Sequence, residues 1–201
     1  MTMSRLPFFI DAGDAPSKQA LLEAALGLFV RDGVREASLR AIAAKAGFSN
    51  PVLFKFFENK DALALHLFER CYERLVADVA RSLATPGPFD VRLRALLIAL
   101  VALLDESPEA ILFVTEELRR FWPHMAPRLK KRTAIGLVRG FFEEGVREGV
   151  VGRDVSVAML VTAFWGTLAQ FGRQMYFREI HGTAHDHIHA LEALISKMTA
   201  A

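Results

Sequence analysis

Apolar positions return along this chain at helical spacing, and the pattern predicts about nine helices and no sheet. It is clearest over residues 38–60, SLRAIAAKAGFSNPVLFKFFENK. Leu39, Ile42, Ala43 and Ala46 stand at i, i+3, i+4 and i+7, one face of a helix. Ser38 precedes that face as an N-cap, and Gly47 follows it where a left-handed residue ends a helix. Ser49 then reads as the cap of a second helix with Pro51 in its first turn. Leu53, Phe56 and Phe57 fall on one side of it. At about 100° per residue, Pro51, Phe54, Lys55 and Glu58 point to the other.

The same spacing organises the rest. Leu21, Leu22, Ala25, Leu28 and Phe29 form the stripe of a helix capped by Ser17 and ended by Gly33. Residues 1–16 carry Pro7, Gly13 and Pro16 without a helical period and read as a flexible arm. Arg5 in that arm is opposed by Asp11 and Asp14, which disfavours a minor-groove role and leaves Phe8, Phe9 and Ile10 to pack on the protein. Asn59 caps a long helix over residues 60–84, marked by Leu63, Leu67, Cys71, Leu75 and Val79. The break at residues 85–88, Thr-Pro-Gly-Pro, precedes helices expected over 90–105, 108–121, 127–149, 154–179 and 183–199.

Two short helices around a glycine turn, with Lys55 facing outward, describe a helix-turn-helix, in which the second helix enters the major groove. The competing account is an ordinary helical hairpin. The candidate DNA contacts are Ser38, Arg40, Ser49, Asn50, Pro51, Val52, Phe54, Lys55 and Lys60.

Residues around this pair carry a resemblance. Ala24, Ala25, Leu28, Phe29 and Gly33 precede it, Ile42-Ala43, Ala46-Gly47-Phe48-Ser49, Leu53-Phe54 and Phe57 run through it, and Asn59-Lys60-Asp61-Ala62-Leu63 close it. In that order they resemble the N-terminal domain of the TetR family of bacterial transcriptional regulators, over residues 17–63 of 201. The resemblance implies an all-α protein with a three-helix DNA-binding head over residues 17–62. A larger helical domain for ligand binding and dimerisation follows over 63–201. Three positions depart from the family pattern: Ser38 replaces the usual Thr, Pro51 the commoner Gly or Ala, and Phe54 the usual Tyr. The last loses a phenol that reaches a phosphate but keeps a ring able to touch a thymine methyl.

The chain is 52% hydrophobic, with 16 Phe against 2 Tyr and a mean hydropathy of +0.24, which calls for a large core, an interface or a lined cavity. The net charge of +2 excludes a general polyanion binder. Residues 17–60 hold seven cations (Lys18, Arg31, Arg35, Arg40, Lys45, Lys55, Lys60) against four acids (Glu23, Asp32, Glu36, Glu58), a local balance of +3. One cysteine, Cys71, excludes an internal disulfide and suits a reducing cytoplasm; its apolar neighbours favour a buried thiol over a redox sensor. Residues 1–16 lack the basic start and apolar core of a signal peptide. The apolar stretch over 155–171 is broken by Ser156, Thr162, Thr167 and Gln170, so it reads as a buried helix rather than a membrane span.

A palindromic operator requires a two-fold dimer. The resemblance assigns its interface to the last two helices, where Ala158, Ala163, Gly166 and Ala169 allow close approach. The resemblance also implies a pocket for a small apolar or aromatic effector. Phe113, Phe121, Trp122, Phe141, Trp165, Phe171 and Met175 are its candidate walls, with Thr115, His124 and Gln170 as polar contacts. Plain core packing is the alternative for each. His185 and His189 have a metal-compatible i, i+4 spacing, but without Cys and with few carboxylates nearby a polar helix start accounts for them better, and neither a metal nor a cofactor is expected. No phosphate-binding, dinucleotide-binding or hydrolase motif occurs, and the acid pairs Glu116-Glu117 and Glu143-Glu144 point to different helix faces, so an enzyme is not expected. The expected function is a dimeric, effector-released repressor. The alternatives are a DNA-binding regulator with no small-molecule effector and, least favoured, a helical enzyme acting on apolar substrates.

Overall fold

A computed structural model describes residues 6–200. Among them lie ten α-helices, two short 3₁₀ turns and no strand, an all-α fold as expected. The helices are α1 (Pro16–Asp32), α2 (Leu39–Lys45), α3 (Asn50–Phe54), α4 (Lys60–Leu83), α5 (Phe89–Glu106), α6 (Pro108–Phe121), α7 (Pro127–Lys131), α8 (Ala134–Glu148), α9 (Val157–Tyr176) and α10 (Ile188–Thr199). The helix expected over 127–149 is two helices. Thr133 sits between them in an extended conformation and its Oγ1 accepts from Gly136 N at 3.0 Å, which starts α8 afresh. The last helix is likewise preceded by a separate turn, Ala184–His187, closed by reciprocal bonds between Thr183 and Asp186.

The chain forms two compact units. The first takes in the described residues up to Arg74 together with Glu109–Ala126. Here α1 packs on α2 and α3, and Leu21, Leu22, Ile42 and Leu53, with Leu63 and Leu67 of α4, are fully buried. Phe113 of α6 stacks on Phe29 at 5.9 Å, and Phe121 lies 5.2 Å from Phe68. Packing therefore groups α6 with the head, whereas the expected domains divide at residue 62. The sequence pattern carries no sign of this, because an aromatic stripe does not say which core it enters.

The second unit comprises Leu75–Pro108 and the described residues from Pro127 onward. Phe89 stacks on Phe141 at 4.3 Å, and the series continues through Phe142 and Phe164 to Trp165. Arg92 lies over Phe141 at 5.0 Å and binds Glu144 through two bonds of 2.8 and 3.0 Å. At Gly172 on α9 a Cβ would stand 2.9 Å from Leu104 of α5, so a side chain there would force the two apart. α4 contributes to both units by continuity of the chain. No described helix is long and apolar enough to cross a membrane.

The expected flexible arm differs from what is seen. Its first five residues, Arg5 among them, lie outside the described residues. Residues 7–14 form two successive turns, closed by Ile10 N to Pro7 O at 2.9 Å and Asp14 N to Asp11 O at 3.0 Å. Phe9 and Ile10 are buried, which anchors the segment. α1 starts at Pro16 with Ala15 as its cap, so Ser17 is not the cap. Proline's fixed φ makes the first helical position the natural start.

Candidate nucleic-acid interface

The turn between α2 and α3 is built from local chemistry. Ser38 Oγ accepts from Ala41 N at 3.1 Å and starts α2. Gly47 takes φ +78° just beyond the helix and redirects the chain. Ser49 occupies the cap position of α3, yet its hydroxyl makes no capping bond. The cause lies in the next three residues: Pro51 has no N–H, and the Val52 N–H already bonds to the Ser49 carbonyl at 3.0 Å. The Ser49 hydroxyl is thereby left for another partner.

Ser38, Arg40, Ser49, Pro51, Phe54 and Lys55 are exposed, with Phe54 at 52%; Asn50 and Val52 are half-buried. Neither Arg40 nor Lys55 has an ion-pair partner among the described residues. Arg40, Ala44, Phe48, Ser49 and Asn50 line one shallow depression on this surface. Phe48 and Ala44 were not among the expected contacts. Phe48 is exposed because the left-handed Gly47 swings it out of the helix, which an aromatic in a turn does not reveal by type.

Lys60 occupies a different position from the one expected of a simple phosphate contact. Its ammonium donates to the carbonyls of Arg35 and Ala37, the latter at 2.8 Å. This pins the loop that carries Ser38 to the start of α4. An ammonium has three N–H donors, so one remains. Beside it, Asn59 Oδ1 accepts from Ala62 N at 2.8 Å as expected of a cap, and Asp61 pairs with Arg120 at 2.8 Å.

The candidate pocket residues fall into two groups. Phe113 and Phe121 are core members of the first unit, while Trp122 and His124 sit exposed on the 3₁₀ turn Trp122–His124. Pro123 in that turn ends α6 and carries both outward. In the second unit Phe141 and Phe171 are buried, Met175 is half-buried and Gln170 is exposed. Gln170 lies on the α9 face of Ala163 and Gly166, which points away from the core residues Phe164, Leu168 and Phe171. Trp165 stands apart: its Nε1 is buried and has no hydrogen-bond partner among the described residues.

On α9 the small residues Ala158, Ala163 and Gly166 are exposed, together with Met159 at 58%. On α10 Leu194 is 45% exposed. Cys71 is fully buried, and that burial pushes its thiol pKa far up, so it lacks the thiolate a redox sensor needs. His187 Nε2 donates to the His181 carbonyl at 2.8 Å, and His189 lies 3.8 Å from Glu192. Among the described residues no group of three or more His, Cys, Asp or Glu could hold a metal ion.

Three comparisons bear on this arrangement. FasR of Mycolicibacterium smegmatis, an HTH-type transcriptional activator, is 32% identical over 113 residues, covering 56% of this chain and 52% of FasR. The chain thus spans about half the length of this curated relative. The ketosteroid transcriptional regulator KstR2 of Mycobacterium tuberculosis shares the fold with a TM-score of 0.81 at 19% identity, over 98% of this chain and 100% of that one. FadR of Bacillus subtilis, solved in complex with stearoyl-CoA, aligns with a TM-score of 0.70 at 14% identity, over 90% and 98% of the two chains. Residues 21–67, which hold α2, α3 and their braces, match the family described as bacterial regulatory proteins, tetR family.

Proposed function

We propose that the chain is a ligand-responsive transcriptional regulator that binds a palindromic operator as a homodimer. The observation that carries this reading is the outer surface of α2 and α3, where Arg40 and Lys55 are exposed without ion-pair partners among the described residues, beside the Ser49 hydroxyl, which makes no capping bond, and the exposed ring of Phe54. In a helix-turn-helix, α3 would enter the major groove while Ser38 and Arg40 meet the backbone. A dimer would set the two α3 helices about 34–36 Å apart, one turn of B-DNA. Its interface would be α9 and α10, whose exposed Met159, Ala163, Gly166 and Leu194 need cover. The expected setting is the cytoplasm, and no catalytic role is assigned.

The effector would be a small apolar, aromatic or acyl molecule carrying a hydrogen-bond acceptor. The aromatic series from Phe89 to Trp165 and the orphan indole N–H support that class. The stearoyl-CoA bound to the FadR neighbour supports the acyl member. Binding would favour one arrangement of α4 and, through a coupling of about 1–3 kcal/mol, change operator affinity roughly 5–150-fold. The chain would act as a repressor released by the effector. A second sign, activation, is favoured by the name of the FasR relative.

Selection from random DNA followed by titration at several salt concentrations tests the reading. An enriched palindrome bound by two protomers is the expected result. Equal, weak binding to enriched and scrambled DNA would refute operator recognition. An acyl or aromatic ligand that binds without altering operator affinity would refute the responsive part alone.

A further inference from the structure

His66, Arg70 and Arg74 stand four residues apart on α4 and form one polar stripe, each step rising about 6 Å. The segment before α1 meets this stripe in antiparallel order. Phe8 lies under the Arg74 guanidinium at 5.3 Å. Three residues on, Asp11 Oδ2 accepts from Arg70 at 2.8 Å. Three further on, Asp14, paired with Lys18 at 2.6 Å, acts electrostatically on His66. The match has a geometric cause. Each of the two turns closes from i to i+3, and three residues of such a tight turn advance about 6 Å, equal to one step of the stripe.

Other bonds tie the segment to α1. Gln19 Nε2 donates to the Asp14 carbonyl at 2.9 Å and lies 3.4 Å from the Asp11 carbonyl, which also accepts from it. Phe9 and Ile10 are 4% and 7% exposed, so an apolar seat lies beneath the polar rungs. The Arg70 guanidinium holds the Asp11 carboxyl below the usual carboxylate range.

We propose that residues 7–14 are a latch that fixes the start of α1 to α4, with Asp11 and Arg70 as positioning residues for operator binding. The inference rests on the regulatory reading above, because α1 braces α2 and α3. A closed latch presents α3 already ordered. An open latch requires the head to be ordered again on the DNA, which lowers affinity.

The test uses the 201-residue chain and a DNA fragment enriched from random sequence. Three forms are compared: wild type, Asp11→Asn, and the swapped pair Asp11→Arg with Arg70→Asp. Asp11 is 55% exposed in its side chain, so Asp11→Asn leaves the fold intact, which circular dichroism checks. Hydrogen exchange at the Ile10 and Asp14 amides reads the latch itself. Asp11→Asn is expected to speed that exchange and to weaken DNA binding about 1.5- to 5-fold, the range for a partly exposed ion pair. The swapped pair restores both. Faster exchange with unchanged affinity, or unchanged exchange, would overturn the inference while leaving the regulatory reading in place. Failure of the wild type to enrich any DNA would overturn both.

Discussion

Replacing Lys60 by Met removes an ammonium that two carbonyls share. The Arg35 carbonyl is exposed, so water takes over there. The Ala37 carbonyl, part-buried and 2.8 Å from Nζ, is the bond that counts. A hydrogen bond to a charged group contributes about 1.5–3 kcal/mol, and the half-buried position of Lys60 puts this one near the low end, about 1.5 kcal/mol. For a chain of this size that lowers the melting temperature by about 3–6 °C. On DNA, the loosened loop misplaces Ser38, and affinity falls. The slope of log affinity against log salt separates this from a lost phosphate contact. A positioning Lys60 leaves the slope unchanged, whereas losing one phosphate contact in each protomer of a dimer flattens it by about 1.8. Calorimetry and a salt-series titration provide the two readouts. A flattened slope with an unmoved melting temperature would refute the assignment of Lys60 to the loop.

Three further outcomes are expected. Phe54→Tyr adds a hydroxyl to the exposed ring and should tighten operator binding about two- to tenfold without changing the salt slope; no gain would show that the ring edge does not face a phosphate. Gly47→Ala places a Cβ in open space but at φ +78°, so strain alone should cost about 1–2 kcal/mol in a denaturant melt. His66 is held below the ordinary histidine value by burial, then by Lys18 and Arg70, against the opposing pull of Asp14 and Glu69. The unfolded chain therefore binds that proton more tightly. Stability should fall as the pH drops from about 6.5 toward the lower folded value, and His66→Gln should flatten that loss; identical pH profiles would contradict the assignment.

What could be read from the sequence was mostly short-range. The caps at Ser38 and Asn59 and the turn at Gly47 depend on a few neighbouring residues, and all three are present. The same rule overreached at Ser49 and Ser17, where a nearby proline removes a donor or starts the helix itself. The break at Thr133 is hidden because no glycine or proline stands between Pro127 and Gly136 to mark it. Contacts distant in sequence were not legible. Nothing in residues 6–15 announces Arg70 and Arg74, and nothing in α6 announces Phe29. The loop contacts of Lys60 were hidden for the same reason: a cation beside a DNA face gives no hint of two carbonyls some two dozen residues upstream. Trp165 was flagged by type, but only its unbonded nitrogen separates it from the other aromatics.

The sealed position of Cys71 has a practical side. A chain whose one native thiol is fully buried is close to a blank for site-directed labelling. A cysteine introduced at exposed Lys55 would be the single point at which a maleimide spin label attaches. In a dimer, two such labels form a ruler between the recognition helices. Pulsed resonance distances, taken with and without a candidate effector, would then follow the spacing of the two heads directly in solution, with no need to know the operator.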